Sequence, residues 1–224
     1  MKRWLQALVA LLCLSCALPA AAAIDADVVL VYGNAWRRVL PAYAAVARAP
    51  ATASAAAADL PPVILWTEGE ERWTEELLRH LAPKKVLAIG PRGHRSDALS
   101  IPGEVRRIEA DDFGMDDRLA RAAFEGEKAP RVYLADGELA SAMAATLLAA
   151  TDRAPLLIAD ADPVAATRTA GALARKLDAA EIVVVGRAGD AAALADAAGG
   201  KVRILGREEA LAAERERVAG SRHL

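Results

Sequence analysis

The chain has 224 residues, with 28 lysines and arginines against 30 acidic residues for a net charge of −2. That balance excludes a nucleic-acid role driven by bulk electrostatics. Both cysteines, Cys13 and Cys16, lie near the start, which excludes a disulfide framework or a cysteine-based metal site for the rest.

Residues 1–23 read as a secretory signal. Lys2 and Arg3 supply the charged start, residues 5–18 are apolar apart from Gln6 and Ser15, and Pro19 precedes the small-residue run 20–23. The apolar stretch is short for a ~20-residue membrane span, so cleavage near Ala23 is expected rather than anchoring. Leu14-Ser15-Cys16 resembles the end of a lipobox, but Cys13 stands where that motif takes an aliphatic residue. Lipidation through Cys16 is therefore the weaker reading. Without Lys2 and Arg3, 26 basic residues face 30 acidic ones, a net of −4. No later segment is apolar for long enough to span a bilayer, so no transmembrane helix is expected after cleavage. The expected location is the periplasm or the cell surface.

From residue 28 the pattern is apolar runs alternating with helical stretches. Val28-Val29-Leu30-Val31-Tyr32 ends in Gly33 and predicts a strand, followed by an Ala-rich helix over 35–47. Residues 48–59, with Pro50, read as a surface loop. Strands are predicted at 63–66, 86–89 and 105–108, the first being a continuous apolar run suited to a parallel sheet. Between the first two lies a helix over 70–81, with Trp73, Leu77, Leu78 and Leu81 on one face and His80 partly buried. Asp111, Asp112, Asp116 and Asp117 lack calcium-loop spacing and read as a solvated turn capping a helix from Arg118. Residues 124–130 read as a linker.

The same order then returns. Val132-Tyr133-Leu134-Ala135-Asp136-Gly137 repeats 28–33, Pro155-Leu156-Leu157-Ile158 repeats Pro62-Val63-Ile64-Leu65, and Ile182-Val183-Val184-Val185-Gly186 repeats 86–90. Arg203-Ile204 matches Arg107-Ile108 at the offset of the preceding pair, which predicts no gap between them. Helices are predicted over 139–150 and 163–177, the latter with Asp162 as N-cap and Pro163 at the first position, and a charged helix over 208–218. A period of ~90–105 residues far exceeds the 20–50 of solenoid repeats. The expected architecture is α/β, two tandem Rossmann-like modules over 24–125 and 126–224, each a small, mostly parallel sheet flanked by helices.

Chemistry is sparse. Neither a phosphate-binding glycine loop nor a Gly-x-Ser-x-Gly nucleophile elbow occurs. His80, His94 and His223 are too scattered for a metal site, and only His94 follows a strand. No metal, cofactor or catalytic residue is expected. Ligands of open α/β sheets collect beyond the carboxyl ends of the strands. The candidates there are Gly33, Asn34, Thr67, Glu68, Gly90, Arg92, Asp136, Gly137, Glu138, Asp160, Gly186 and Arg187. Arg92 and Arg187 follow equivalent glycines, where a guanidinium could clamp an anion or pair within the chain.

These elements, in this order, resemble the cell wall-binding repeat 2 family of envelope-anchoring modules. The resemblance rests on Leu134-Ala135-Asp136-Gly137, Ala154-Pro155-Leu156-Leu157-Ile158, Ala165-Ala166-Thr167, the strand ending in Gly186, and Arg203-Ile204-Leu205-Gly206. The first copy matches through Pro62-Val63-Ile64-Leu65, Lys84 to Gly90, and Arg107-Ile108. It implies Rossmann-like modules that bind an envelope glycopolymer without catalysis. It also implies that Val63, Ile64 and Leu65 and their counterparts Leu156, Leu157 and Ile158 contribute to the binding region. Two modules stand here where such proteins often carry three, which points to self-association or a partner module. The alternatives are an extracytoplasmic solute- or nucleotide-binding protein with a cleft between two lobes, and an envelope polysaccharide enzyme using Asp136 or Asp160.

Overall fold

The computed structural model describes residues 26–33, 36–46, 61–91, 99–109, 115–124, 128–159, 163–187, 196, 201–206 and 208–213. The first module comprises β1 (Val28–Tyr32), α1 (Trp36–Val46), β2 (Val63–Trp66), α2 (Glu71–Leu81), β3 (Lys85–Gly90), β4 (Glu104–Glu109) and α3 (Met115–Ala123). The second comprises β5 (Arg131–Ala135), α4 (Leu139–Asp152), β6 (Leu156–Ile158), α5 (Pro163–Lys176), β7 (Glu181–Val185) and β8 (Lys201–Leu205), and residues 208–213 are helical. The strands form two four-stranded, all-parallel sheets of the same order, β2-β1-β3-β4 and β6-β5-β7-β8. The chain is therefore α/β with two Rossmann-like modules. Among the described residues no helix is long and apolar enough to cross a membrane.

Central strands must be apolar on both faces because helices cover both. Val29 and Val31 of β1 point to one side with Leu87 and Ile89, while Val28 and Leu30 point to the other with Val86 and Leu78 of α2. The outer strands β4 and β8 carry charge instead. Arg106, Arg107 and Arg203 are exposed there, a pattern that discourages edge-to-edge pairing.

Pairing corrects one repeat alignment. Lys85 and Glu181 begin equivalent strands, and they face Glu104 and Lys201 respectively. Ile108 is thus equivalent to Leu205, not Ile204, and one extra residue separates β7 from β8. Burial agrees: Ile108 and Leu205 are each 8% exposed, Ile204 45%. A one-residue slip in a strand turns each side chain to the opposite face.

The modules share a core. One apolar cluster runs from Val31 and Ile89 through Leu119 and Phe124 to Leu157, Leu173 and Val184. Helix α1 packs on α3, α4 and β6, and α3 packs on β6 and α5, so the helical layer of module 1 covers the β6 edge of module 2. The expected linker is partly interior: Phe124 and Ala129 are buried, and the Ala129 amide donates to Leu177 O. The expected division at 125/126 lies outside the described residues.

Two helices differ from expectation. In α2 the sheet takes Thr74 and Leu78, while Trp73, Leu77, Leu81 and His80 are exposed, because among the described residues no second layer covers that side. Helix α3 begins at Met115 rather than Arg118, and Asp117 pairs with Arg121 one turn on (2.9 Å). The expected signal over residues 1–23, residues 48–59, Asp111, Asp112 and Asp162 lie outside the described residues.

Candidate functional site

The carboxyl ends of the strands form a rim held by specific hydrogen bonds. The Gly33 amide donates to Trp66 O (2.8 Å), and Arg38 Nη1 donates to Tyr32 O (3.0 Å). Arg37, its guanidinium 5.0 Å from the Trp36 ring centroid, reaches into the other module and donates to Gly137 O (3.0 Å). That bond joins the start of α1 to the end of β5. Gly137 permits it: a Cβ there would lie 3.1 Å from both Ala159 O and Arg37 Nη2.

In module 2 the rim is organised by Asp136. Its Oδ1 accepts from the Glu138 amide (3.1 Å) and its Oδ2 from the Arg187 amide (2.8 Å), tying the end of β5 to the end of β7. Gly186, at φ +100°, turns the chain beside this carboxylate, and a side chain there would overlap Asp136 and Ser141 Oγ. Arg187 is exposed. Gly90 is buried and ends β3, and Thr67 donates through both its amide and its hydroxyl to Glu70, holding the turn into α2. Asn34, Arg92, His94, Asp160 and His223 lie outside the described residues.

The two apolar strands singled out as binding elements have different fates. Leu156, Leu157 and Ile158 are at most 7% exposed beneath α1, α3, α4 and α5, so their side chains offer a ligand no surface. These three side chains pack the interior. Val63 and Ile64 are half-buried and Leu65 is exposed. Ile64 and Leu65 line a groove of about 700 Å³ with Trp73, Leu77, Glu76 and His80.

A second polar cluster lies at the amino ends of the strands, away from the rim. Arg131 Nη1 and Tyr133 Oη both donate to Asp152 Oδ2, at 2.6 and 2.5 Å. Burial, and then the bond to Asp152, push the Tyr133 phenol up to about 12. Arg131 Nε is buried without a hydrogen bond, yet Glu181 Oε2 lies 3.6 Å away, an ion-pair contact beyond hydrogen-bonding reach. Among the described residues no group of three His, Cys, Asp or Glu side chains could hold a metal ion.

Sequence reasoning missed Arg37 and Arg38. The available signal was a pair of arginines at the second and third positions of the helix that follows a strand-ending glycine. Comparison with family models, with curated proteins and with solved structures gave no match to this chain.

Proposed function

We propose that the protein is an exported, non-catalytic component of the cell envelope that holds a wall or surface glycopolymer along its strand-end rim. The observation that carries the reading is the Arg37–Gly137 hydrogen bond, which ties the start of α1 in module 1 to the end of β5 in module 2. An extended polymer needs an extended site. The rim carries the exposed Arg187, and a guanidinium suits carboxylate or phosphate substituents. Asp136, the acid nearest a catalytic position, spends both oxygens on backbone amides, so its work is to order the loop. The filled junction around Leu119, Phe124 and Leu157 favours a binding scaffold over a hinged two-lobe receptor.

The test is co-sedimentation of the exported protein with purified insoluble envelope glycan. Retention at low salt that weakens as salt rises is expected, with Arg187→Glu weakening it several-fold further. Absence of retention at low salt overturns the reading. So does recovery of the protein only inside the cell with residues 1–23 intact.

A further inference from the structure

We propose that β2 is the docking edge for an extended polypeptide segment of another protein, rich in apolar and basic residues. The segment adds a fifth strand to the four-stranded sheet of module 1 and lays its side chains in the β2–α2 groove. The inference goes beyond the glycan reading and uses other residues.

Strand pairing leaves backbone groups open along β2. The Val29 amide donates to Pro62 O (3.0 Å) and the Gly33 amide to Trp66 O (2.8 Å), so even-numbered residues turn their backbone groups to β1. Successive residues of a strand alternate in this respect, so those of Val63 and Leu65 point away from the sheet. Neither residue has a hydrogen-bond partner on that side among the described residues. The next outward amide, that of Thr67, is taken by Glu70 Oε2 (2.9 Å), which closes the open row.

The other sheet edges are guarded. Glu104, Arg106, Arg107 and Glu109 charge β4, Lys201 and Arg203 charge β8, and β6 lies beneath α1 and α3. In contrast β2 reads Val-Ile-Leu-Trp, without a charge, and among the described residues no layer like that over β6 covers it. An uncharged, unpaired edge is a template for an added strand. The open N–H and C=O groups of Val63 and Leu65 repeat at about 6.6 Å, the two-residue rise of a strand, which another peptide backbone matches in both donor and acceptor.

The groove beside the edge sets the side chains of that strand. Trp73, Leu65 and Leu77 are 78%, 43% and 42% exposed and line it together with Ile64, so it takes apolar side chains. Its carboxylates are Glu70 and Glu76, and no lysine or arginine lines it. Glu76 has no ion pair or hydrogen bond among the described residues. A basic side chain complements both carboxylates and meets the Trp73 ring as a cation.

The probes are end-capped, fluorescent hexapeptides built from Val, Leu, Lys and Arg, titrated with the full chain and read by anisotropy. Saturable binding is expected, and full N-methylation of the peptide amides should weaken it more than about tenfold. Peptides with Glu in place of Lys and Arg should bind about fivefold or more weakly, as should the native peptides on Glu76→Lys. Leu65→Pro removes one outward donor at a position where an edge strand accepts proline, and should weaken binding about fivefold. Urea midpoints confirm that both variants are folded. Hydrogen exchange of the Val63 and Leu65 amides should slow when peptide is bound. Four outcomes overturn the proposal: no peptide saturates, as when a segment of this chain already fills the edge; acidic and basic peptides bind alike; N-methylated peptides bind as the parents do, so that the groove takes side chains but no strand; or envelope glycan, and no peptide, slows exchange at Val63 and Leu65, which makes the edge part of the glycan site.

Discussion

Replacing Leu157 by alanine, beside the same change at the equivalent Ile64, measures what module 1 contributes to module 2. Pairing places Ile64 opposite Leu30 and Leu157 opposite Leu134, so the two occupy the same position in their sheets. Leu157 is 2% exposed within the shared cluster, while Ile64 is only partly buried over α2. Each change removes three carbons, about 2.4 kcal/mol at ~0.8 kcal/mol per buried CH₂. At Leu157 the enclosed cavity adds ~1–2 kcal/mol, for a total of ~3–4 kcal/mol. At Ile64 part of the transfer cost is absent and solvent enters the space, leaving ~1–2 kcal/mol. Urea unfolding followed by tryptophan fluorescence and by circular dichroism reads both quantities. All tryptophans after residue 23, Trp36, Trp66 and Trp73, lie in module 1. A Leu157→Ala variant whose fluorescence midpoint falls together with its dichroism midpoint unfolds as one cooperative unit. An unmoved fluorescence midpoint, or equal costs at the two sites, would refute the shared core as a source of stability.

The Tyr133 phenol is raised to about 12 by burial and then by Asp152, above its ordinary ~10, so its contribution is complete below pH ~10 and lost as pH climbs towards 12. Native stability should therefore fall by ~1–2 kcal/mol more than that of Tyr133→Phe between pH 9.5 and 11.5, read from urea midpoints, and parallel curves would remove the argument. Gly103 has φ +85°, and a Cβ there would overlap the backbone oxygens of Pro83 and Lys84, whereas at Gly69 (φ +94°) it meets nothing. Gly103→Ala should cost ~2–4 kcal/mol against ~1 kcal/mol for Gly69→Ala by thermal unfolding, and equal losses would show that the dihedral alone matters.

The strands were legible because a parallel sheet covered on both faces demands continuous apolar runs, and Val28–Tyr32 and Glu181–Val185 read that way without context. What the sequence hid depends on neighbours. Val63-Ile64-Leu65 and Leu156-Leu157-Ile158 are chemically alike, and only the helices of module 1 over β6 bury the second set. The helical period of α2 was visible, but not which part of its apolar stripe the sheet would take. The slip between β4 and β8 was hidden because an Arg-Ile pair occurs in both strands, with inward Ile108 and outward Ile204 indistinguishable by composition. At the rim, Gly33 has positive φ and its counterpart Gly137 does not; Gly137 instead makes room for Arg37.

These asymmetries bear on what was duplicated. The copies share strand order, pairing and the left-handed residues Ala82 and Asp178, all backbone devices. At the strand ends, where a repeated reaction site would need matching groups, Tyr32 stands for Asp136 and Trp66 for Ala159. Tyr32 and Trp66 pack edge to face at 4.9 Å, whereas Asp136 orders a turn. One copy thus resolves the strand ends by aromatic packing and the other by a carboxylate, two answers to a structural requirement. The helical layer of module 1 covers the β6 edge of module 2, which no copy does for β2 among the described residues. The binding role proposed for the protein asks of this scaffold strand ends in both modules, not a repeated set of reacting groups.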